Sequence, residues 1–144
     1  MLVMILMATG LISGCFPSCT AAHYEPVEVR LEAQSGRECG QLTTGRHRIR
    51  FLYPDREVGK TYGDILSVVT PAANEIQLRL ESPDGSSEEV GVALSAYTKS
   101  GDTYFTTVKN DLRLWAGVYC LSYSNNGLSA TEGAHFSISR IPSP

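Results

Sequence analysis

The sequence predicts an all-β fold: an antiparallel β-sandwich, Ig-like or jelly-roll in type, of about eight short strands. Three observations carry this expectation. Apolar and polar residues alternate with period two in run after run from Val27 onward, Gly, Pro and Asn clusters separate the runs, and no stretch after residue 14 keeps helical spacing over three turns. Half-buried strands joined by short turns bury their dry faces by packing two sheets together, with a small barrel as the alternative closure.

Val27, Val29, Leu31 and Ala33 alternate with Glu28, Arg30 and Glu32, the pattern of a strand with one dry and one wet face. His47, Ile49 and Phe51 alternate with Arg46, Arg48 and Arg50 in the same way. Ile65 to Val69 fits a further short strand. Ile76, Leu78 and Leu80 alternate with Gln77, Arg79 and Glu81, and the Pro83-Asp84-Gly85 that follows is a turn, because Pro presets φ and Gly accepts φ > 0. Val90, Val92, Leu94 and Ala96 share the next dry face, and Lys99-Ser100-Gly101-Asp102 reads as a hairpin tip leading into Thr103 to Val108. Leu112 and Leu114 lead through Trp115-Ala116-Gly117 into Val118 to Ser124, a run rich in strand formers. Asn125-Asn126-Gly127 is the strongest tight-turn signal in the chain. Ala134 to Ile141 is the last strand, with Phe136 and Ile138 inward, stopped by Pro142 and Pro144.

Ahead of the strands lies a different composition. Residues 1–14 hold ten apolar residues, no charge and all three Met of the chain. The stretch Met1 to Ile12 is too short for a helix that needs roughly 20 residues to span a bilayer, so it reads as a signal-peptide core closed by the small residues Ser13-Gly14. Ile12-Ser13-Gly14-Cys15 resembles the bacterial lipobox, in which the Cys becomes the lipid-modified first residue of the mature chain. The resemblance implies a lipoprotein signal over 1–14, palmitate on Cys15 and membrane attachment through that residue, since two or more acyl chains anchor stably where one does not. In a Gram-negative cell the resemblance further implies outer-membrane attachment facing the periplasm, because Phe16 stands where that family's sorting rules place an aspartate for inner-membrane retention. A plain secretory signal with Cys15 as a bystander, or a short buried N-terminal helix, are the alternatives. Cys15 to about Pro26 has two Pro, small polar residues and no periodicity. The chain thus divides into a signal peptide at 1–14, a tether at 15–26, a sandwich domain at 27–141 and a tail at 142–144.

The 144 residues carry 12 Lys plus Arg against 15 Asp plus Glu, a net charge of −3, with no basic block. That balance offers no field to gather phosphate backbones and argues against a nucleic-acid partner. Lipidation of Cys15 would leave Cys19, Cys39 and Cys120, an odd number in an exported chain. Cys39 with Cys120 is the favoured disulfide: Cys120 lies in a predicted strand and Cys39 in a loop between strands, whereas Cys19 lies in the leader between Phe16 and Tyr24. No CxxC or HxxxH spacing accompanies them, so no metal and no cofactor is expected.

Val69 to Ala73 leading into Ile76 to Leu80, Val90 to Tyr97 as a central strand, Leu112 to Tyr119 with its Ala116-Gly117 and aromatic, and the closing strand Ala134 to Ile141 together resemble the bacterial pre-peptidase C-terminal domain. That family is a β-sandwich appended to many secreted proteins, and the likeness covers a little over half the chain. It implies a non-catalytic binding or targeting module and carries over no ligand residue.

Two candidate sites emerge. Arg46, Arg48 and Arg50 at spacing two form a guanidinium row on one strand face, about 6.8 Å per step. Such a row suits the carboxylates or phosphates of a cell-wall polymer, lipopolysaccharide or partner protein, or else is a solvated face paired with Glu28 and Glu32 of a neighbouring strand. Ser100-Gly101-Asp102-Thr103-Tyr104 resembles the SGxxY loop of periplasmic C-type lysozyme inhibitors, with Ser100 and Tyr104 as the hydrogen-bonding tip and Gly101 as the bend; an ordinary hairpin is the alternative. Asp84, Ser86, Glu88 and Glu89 lack the order of a Ca²⁺ loop and read as a wet turn. His23, His47 and His135 are far apart, His47 reads as a hydrogen-bonded strand residue, and no GxSxG elbow is present, so no catalytic residue and no enzyme activity is expected. Tyr97, Tyr104, Tyr119 and Tyr123 are expected mostly in the core, with Trp115 a possible contact residue. The expectation is a lipid-anchored, non-enzymatic envelope module for a protein or cell-wall ligand. Inhibition of a lytic enzyme and pilotin-like escort of a secretion component are the alternatives.

Overall fold

The computed structural model of the protein describes residues 26–54 and 62–142. The signal segment, Cys15, Cys19, His23, the tether up to residue 25 and the tail beyond Pro142 lie outside the described residues. Among the described residues, nine strands run in the order β1 (Val27–Arg30), β2 (Ser35–Leu42), β3 (Gly45–Pro54), β4 (Gln77–Glu81), β5 (Ser87–Val90), β6 (Thr98–Ser100), β7 (Thr103–Leu114), β8 (Gly117–Ser124) and β9 (His135–Arg140). They build two antiparallel sheets, β1-β9-β3-β7-β6 and β2-β8-β4-β5. The expected sandwich is therefore present, with nine strands rather than eight.

Alternation decides which side of each strand is dry. Ile49 and Phe51 of β3, Phe136 and Ile138 of β9, and Val27 and Val29 of β1 point inward from the first sheet; Leu78 and Leu80 of β4 and Leu121 of β8 meet them from the second. Burying a large apolar side chain contributes about 1.5–3 kcal/mol each, which makes this interlayer the main source of stability. The β4–β5 hairpin turns through Pro83-Asp84-Gly85 and the β6–β7 hairpin through Gly101-Asp102, as the turn residues dictate; Gly101 sits at φ 62, where a side chain would be strained.

Three expectations need correction. Ile65–Val69 is not a strand but a π-helical stretch joining α1 (Tyr62–Asp64) to α2 (Thr70–Ala73). Ile65, Val69 and Ala73 fall at i, i+4 and i+8 and are all buried, so one helical stripe wins over β-branched propensity. Val90 to Tyr97 is not a central strand: β5 ends at Val90 and forms the outer edge of its sheet. Beyond it, side chains supply the pairing that a neighbouring strand would give. Asn74 Nδ2 donates to the Leu94 carbonyl at 3.2 Å, Asn74 Oδ1 accepts the Leu94 N–H at 2.7 Å, and Tyr62 Oη accepts the Tyr97 N–H at 3.1 Å.

Cys39 lies in β2, not in a loop. The segment Ser-Gly-Arg-Glu-Cys-Gly-Gln-Leu has poor strand propensity, yet it pairs along its whole length with β8. Its glycines are there for closeness: a Cβ on Gly36 would lie 2.6 Å from the Tyr123 ring, and one on Gly40 2.9 Å from Val27. Asn125-Asn126-Gly127 turns the chain, as expected, between β8 and β9 of the two different sheets. Asn125 Oδ1 accepts the Gly127 N–H at 2.9 Å, its Nδ2 donates to Thr131 Oγ1 at 2.8 Å, and α3 (Leu128–Thr131) carries the chain across.

Candidate anion-binding face

β3 is the middle strand of the first sheet, flanked by β9 and β7. Its alternation sends His47, Ile49, Phe51 and Tyr53 into the core and leaves Arg46, Arg48 and Arg50 on the outer face, as the spacing predicts. The register places Ser139 beside Arg48, and Ser137 and Thr107 on either side of Arg50. The three arginines are not equivalent.

Arg46 is engaged. Its Nε donates to Asp111 Oδ1 at 2.6 Å. Asp111 has φ 58 beside a register shift between β3 and β7; Asp tolerates this left-handed conformation better than most side chains, and the irregularity aims its carboxylate at Arg46. Arg46, with Arg113 near it, holds the Asp111 carboxyl below the usual carboxylate range.

Arg48 and Arg50 are half-buried and have no carboxylate partner among the described residues. The Nε of each is shielded from solvent with no hydrogen-bond acceptor there. Arg50 lays its guanidinium over the Phe105 ring, 5.1 Å from the centroid, a stacking that desolvates the cation further. Burial first, and the charge of Arg48 second, push the Arg50 pKa down from the usual guanidinium value. An arginine stays protonated in proteins, so among the described residues nothing offsets the burial of this charge. An anion bound at the exposed part of the guanidiniums would offset it.

The expected pairing with Glu28 and Glu32 does not occur. Both belong to the β1 side of the sheet, and β9 separates β1 from β3. Glu28 lies 3.7 Å from His135 and Glu32 3.7 Å from Arg30. On the second sheet, by contrast, Arg37 makes a close pair with Glu81, Nη2 to Oε1 at 2.9 Å and Nε to each carboxylate oxygen at 3.1 Å. Phe105, Ser137 and Ser139 were not singled out by sequence reasoning: their place beside the arginines depends on strand order, which local pattern does not encode.

No protein-family model matches the chain, and no curated protein matches it. The chemistry of this face is the guide to what it holds.

The other candidates are placed as follows. Ser100 is exposed at the end of β6, but Tyr104 is 9% exposed, with the Lys99 ammonium 5.3 Å from its ring centroid and the Tyr62 ring 5.6 Å away. Tyr119 Oη donates to the Trp115 carbonyl at 2.7 Å, and Tyr123 Oη lies 3.0 Å from both the Arg30 and Ala33 carbonyls. Tyr97 Oη is 2.8 Å from Thr70 Oγ1. The tyrosines therefore serve packing and strand ends, while Trp115 stands 79% exposed. Asp84 accepts from the N–H and Oγ of Ser86 at 2.9 and 2.7 Å, and no group of three metal-binding side chains occurs among the described residues.

His47 is fully buried, its Nδ1 3.2 Å from the Gly45 carbonyl and its Nε2 without a partner among the described residues. Burial pushes its pKa down, and Arg140 adds to the effect; burial likewise lowers His135, with Glu28 opposing. Burial disfavours the imidazolium form of both in the folded state, so the unfolded chain binds more protons as pH falls through the free-histidine value near 6.5. Stability is expected to be full above that pH and to fall as pH drops below it, well before the carboxylates of Glu81, Asp84 and Asp111 titrate. Urea midpoints measured between pH 7.5 and 5 should decline, and His47→Gln should flatten part of the decline. A midpoint constant over that range would contradict the assignment.

Proposed function

We propose that the protein is a lipid-anchored, non-enzymatic binding module of a bacterial envelope, attached to the outer membrane through Cys15 and facing the periplasm. Its ligand is anionic, a carboxylate- or phosphate-bearing cell-wall polymer or partner, held on Arg48 and Arg50. The observation that carries this reading is the pair of adjacent, half-buried guanidiniums without a carboxylate partner among the described residues. Guanidinium forks match carboxylate and phosphate geometry, and two of them about 6.8 Å apart along a strand suit repeated charges along a chain-like ligand. Ser139 and Thr107 stand beside the arginines on the neighbouring strands. The inhibitor alternative would require the buried Tyr104 to leave the core, and no residue speaks for an escort role.

Calorimetric titration with peptidoglycan fragments, which carry carboxylates, and with deacylated lipopolysaccharide, which carries phosphates, tests the reading. Hydrogen bonds to charged groups contribute about 1.5–3 kcal/mol each. At the lower figure, which suits half-exposed groups, Arg48→Ala with Arg50→Ala should weaken binding about 100-fold. Arg37→Ala should leave it unchanged. Absence of binding to either probe, or binding indifferent to the double substitution, would refute the proposal. Mass spectrometry of the mature N-terminus should show acylated Cys15; an unmodified Cys15 would remove the anchor.

A further inference from the structure

The sandwich has two unlike ends. One carries the β6–β7 hairpin and the helical connections; the other carries the β2–β3, β4–β5 and β7–β8 turns. β1 pairs antiparallel with β9, Val27 opposite Ile138, so the chain comes into the sandwich from the second end, where β9 finishes. Trp115 is on that end, in the two-residue link between β7 and β8.

Trp115 is the only tryptophan of the chain and is 79% exposed; Val118, three residues on, is 51% exposed. The backbone beneath the indole is fixed. The Trp115 carbonyl accepts the Tyr119 hydroxyl at 2.7 Å, and the Ala116 N–H donates to Thr44 Oγ1 at 2.9 Å in the β2–β3 turn. Beside the indole a shallow cleft of about 240 Å³ is lined by Arg46, Arg113 and Leu114. Arg140 belongs to the same end, its Nη1 donating to Thr43 Oγ1 at 3.2 Å. Of the acidic groups at this end, Asp111 is spent on Arg46 and Asp84 is turned onto its own Ser86, while Glu88 and Glu89 are exposed on β5 just past the β4–β5 turn. Arg113 and Arg140 remain exposed without a carboxylate partner among the described residues. An exposed indole on a hydrogen-bonded backbone, with Arg113 beside it and Arg140 at the same end, is the composition of a membrane-interface contact.

We infer that this end, with Trp115 at its tip and Arg113 and Arg140 around it, docks on the anionic phospholipid surface of the membrane to which the chain is tethered. The tether supplies the geometry, and to that extent the inference rests on the lipid-anchor reading. Eleven residue steps separate Cys15 from Pro26, which reach at most about 40 Å when fully extended. A domain held that close meets the bilayer at high effective concentration, so even a weak contact is populated. Docked in this way, the sandwich directs its Ser100–Tyr104 hairpin away from the lipid and leaves Arg48 and Arg50 on a lateral face.

The single tryptophan reports on the contact directly. The acylated protein reconstituted into phosphatidylglycerol-containing vesicles should show blue-shifted Trp115 emission, quenched by lipids brominated in the acyl chain. Residues 15–144 with Cys15→Ser, the mature chain without its signal segment, mixed with the same vesicles, should show the same shift at higher lipid concentration. In that background Arg113→Glu should raise the lipid needed for half-maximal shift about fivefold or more, whereas Arg30→Ala, at the opposite end of the sandwich, should leave it unchanged. If Cys15 proves unacylated but the Cys15→Ser chain still binds vesicles, the docking surface stands and the anchor falls. Emission that stays solvent-like on the vesicles, or a shift indifferent to Arg113→Glu, would overturn the inference.

Discussion

Replacing Cys39 and Cys120 together by Ser is expected to lower the stability of the domain by about 4 kcal/mol. The bridge joins directly paired residues of β2 and β8 and closes a loop of 81 residues. Reduction frees the unfolded chain to explore that loop again. The folded state loses as well, because β2 is the edge of its sheet and contributes little of its own: two of its eight residues are glycines and none is β-branched or aromatic. With a urea dependence typical of a domain this size, the midpoint should fall by about 2 M on reduction or substitution. Hydrogen exchange should speed up first at Ser35–Leu42. An unchanged midpoint would mean that β2 holds its register without the bridge.

Phe51→Ala is expected to cost about 3–5 kcal/mol, the range for emptying a large buried aromatic site. Phe51 sits on the central strand of its sheet with no exposure, its ring 5.3 Å from that of Phe136 and 6.3 Å from that of Tyr97. It fills the interlayer where β3, β9 and the Tyr97 segment meet, a place that cannot collapse without moving a paired strand. The melting temperature should drop by about 12–20 °C. Phe105→Ala, on the outer face of the same sheet, is the control: half-exposed, it should cost less than half as much. Equal losses at the two positions would contradict the assignment of inner and outer faces.

The dry and wet faces of β1, β3, β4 and β9 were legible because period-two alternation is local and the structure kept it. So were the two hairpin turns, where Pro83-Asp84-Gly85 and Ser100-Gly101-Asp102 state their geometry in three residues each. What escaped was non-local. The glycines of β2 hide a strand whose register comes from β8 and Cys120, and the helical stripe of Ile65, Val69 and Ala73 was masked by its β-branched members. The strand order that places Glu28 beyond β9 decides whether Arg48 and Arg50 have acidic partners. The arginine row was therefore visible in the sequence, but its division into an engaged Arg46 and an Arg48 and Arg50 without a carboxylate among the described residues was not. That division depends on Asp111, whose left-handed backbone no pattern of alternation foretells.

The central claim is that Arg48 and Arg50 hold an anion that no described residue supplies. The most direct measurement follows the arginine Nε–H resonances of ¹⁵N-labelled protein while peptidoglycan fragments or deacylated lipopolysaccharide are added. The account predicts that the Nε–H signals of Arg48 and Arg50 shift together and saturate with one affinity, while that of Arg37, closed on Glu81, stays in place. Shifts confined to other arginines, or spread evenly over all of them, would contradict it.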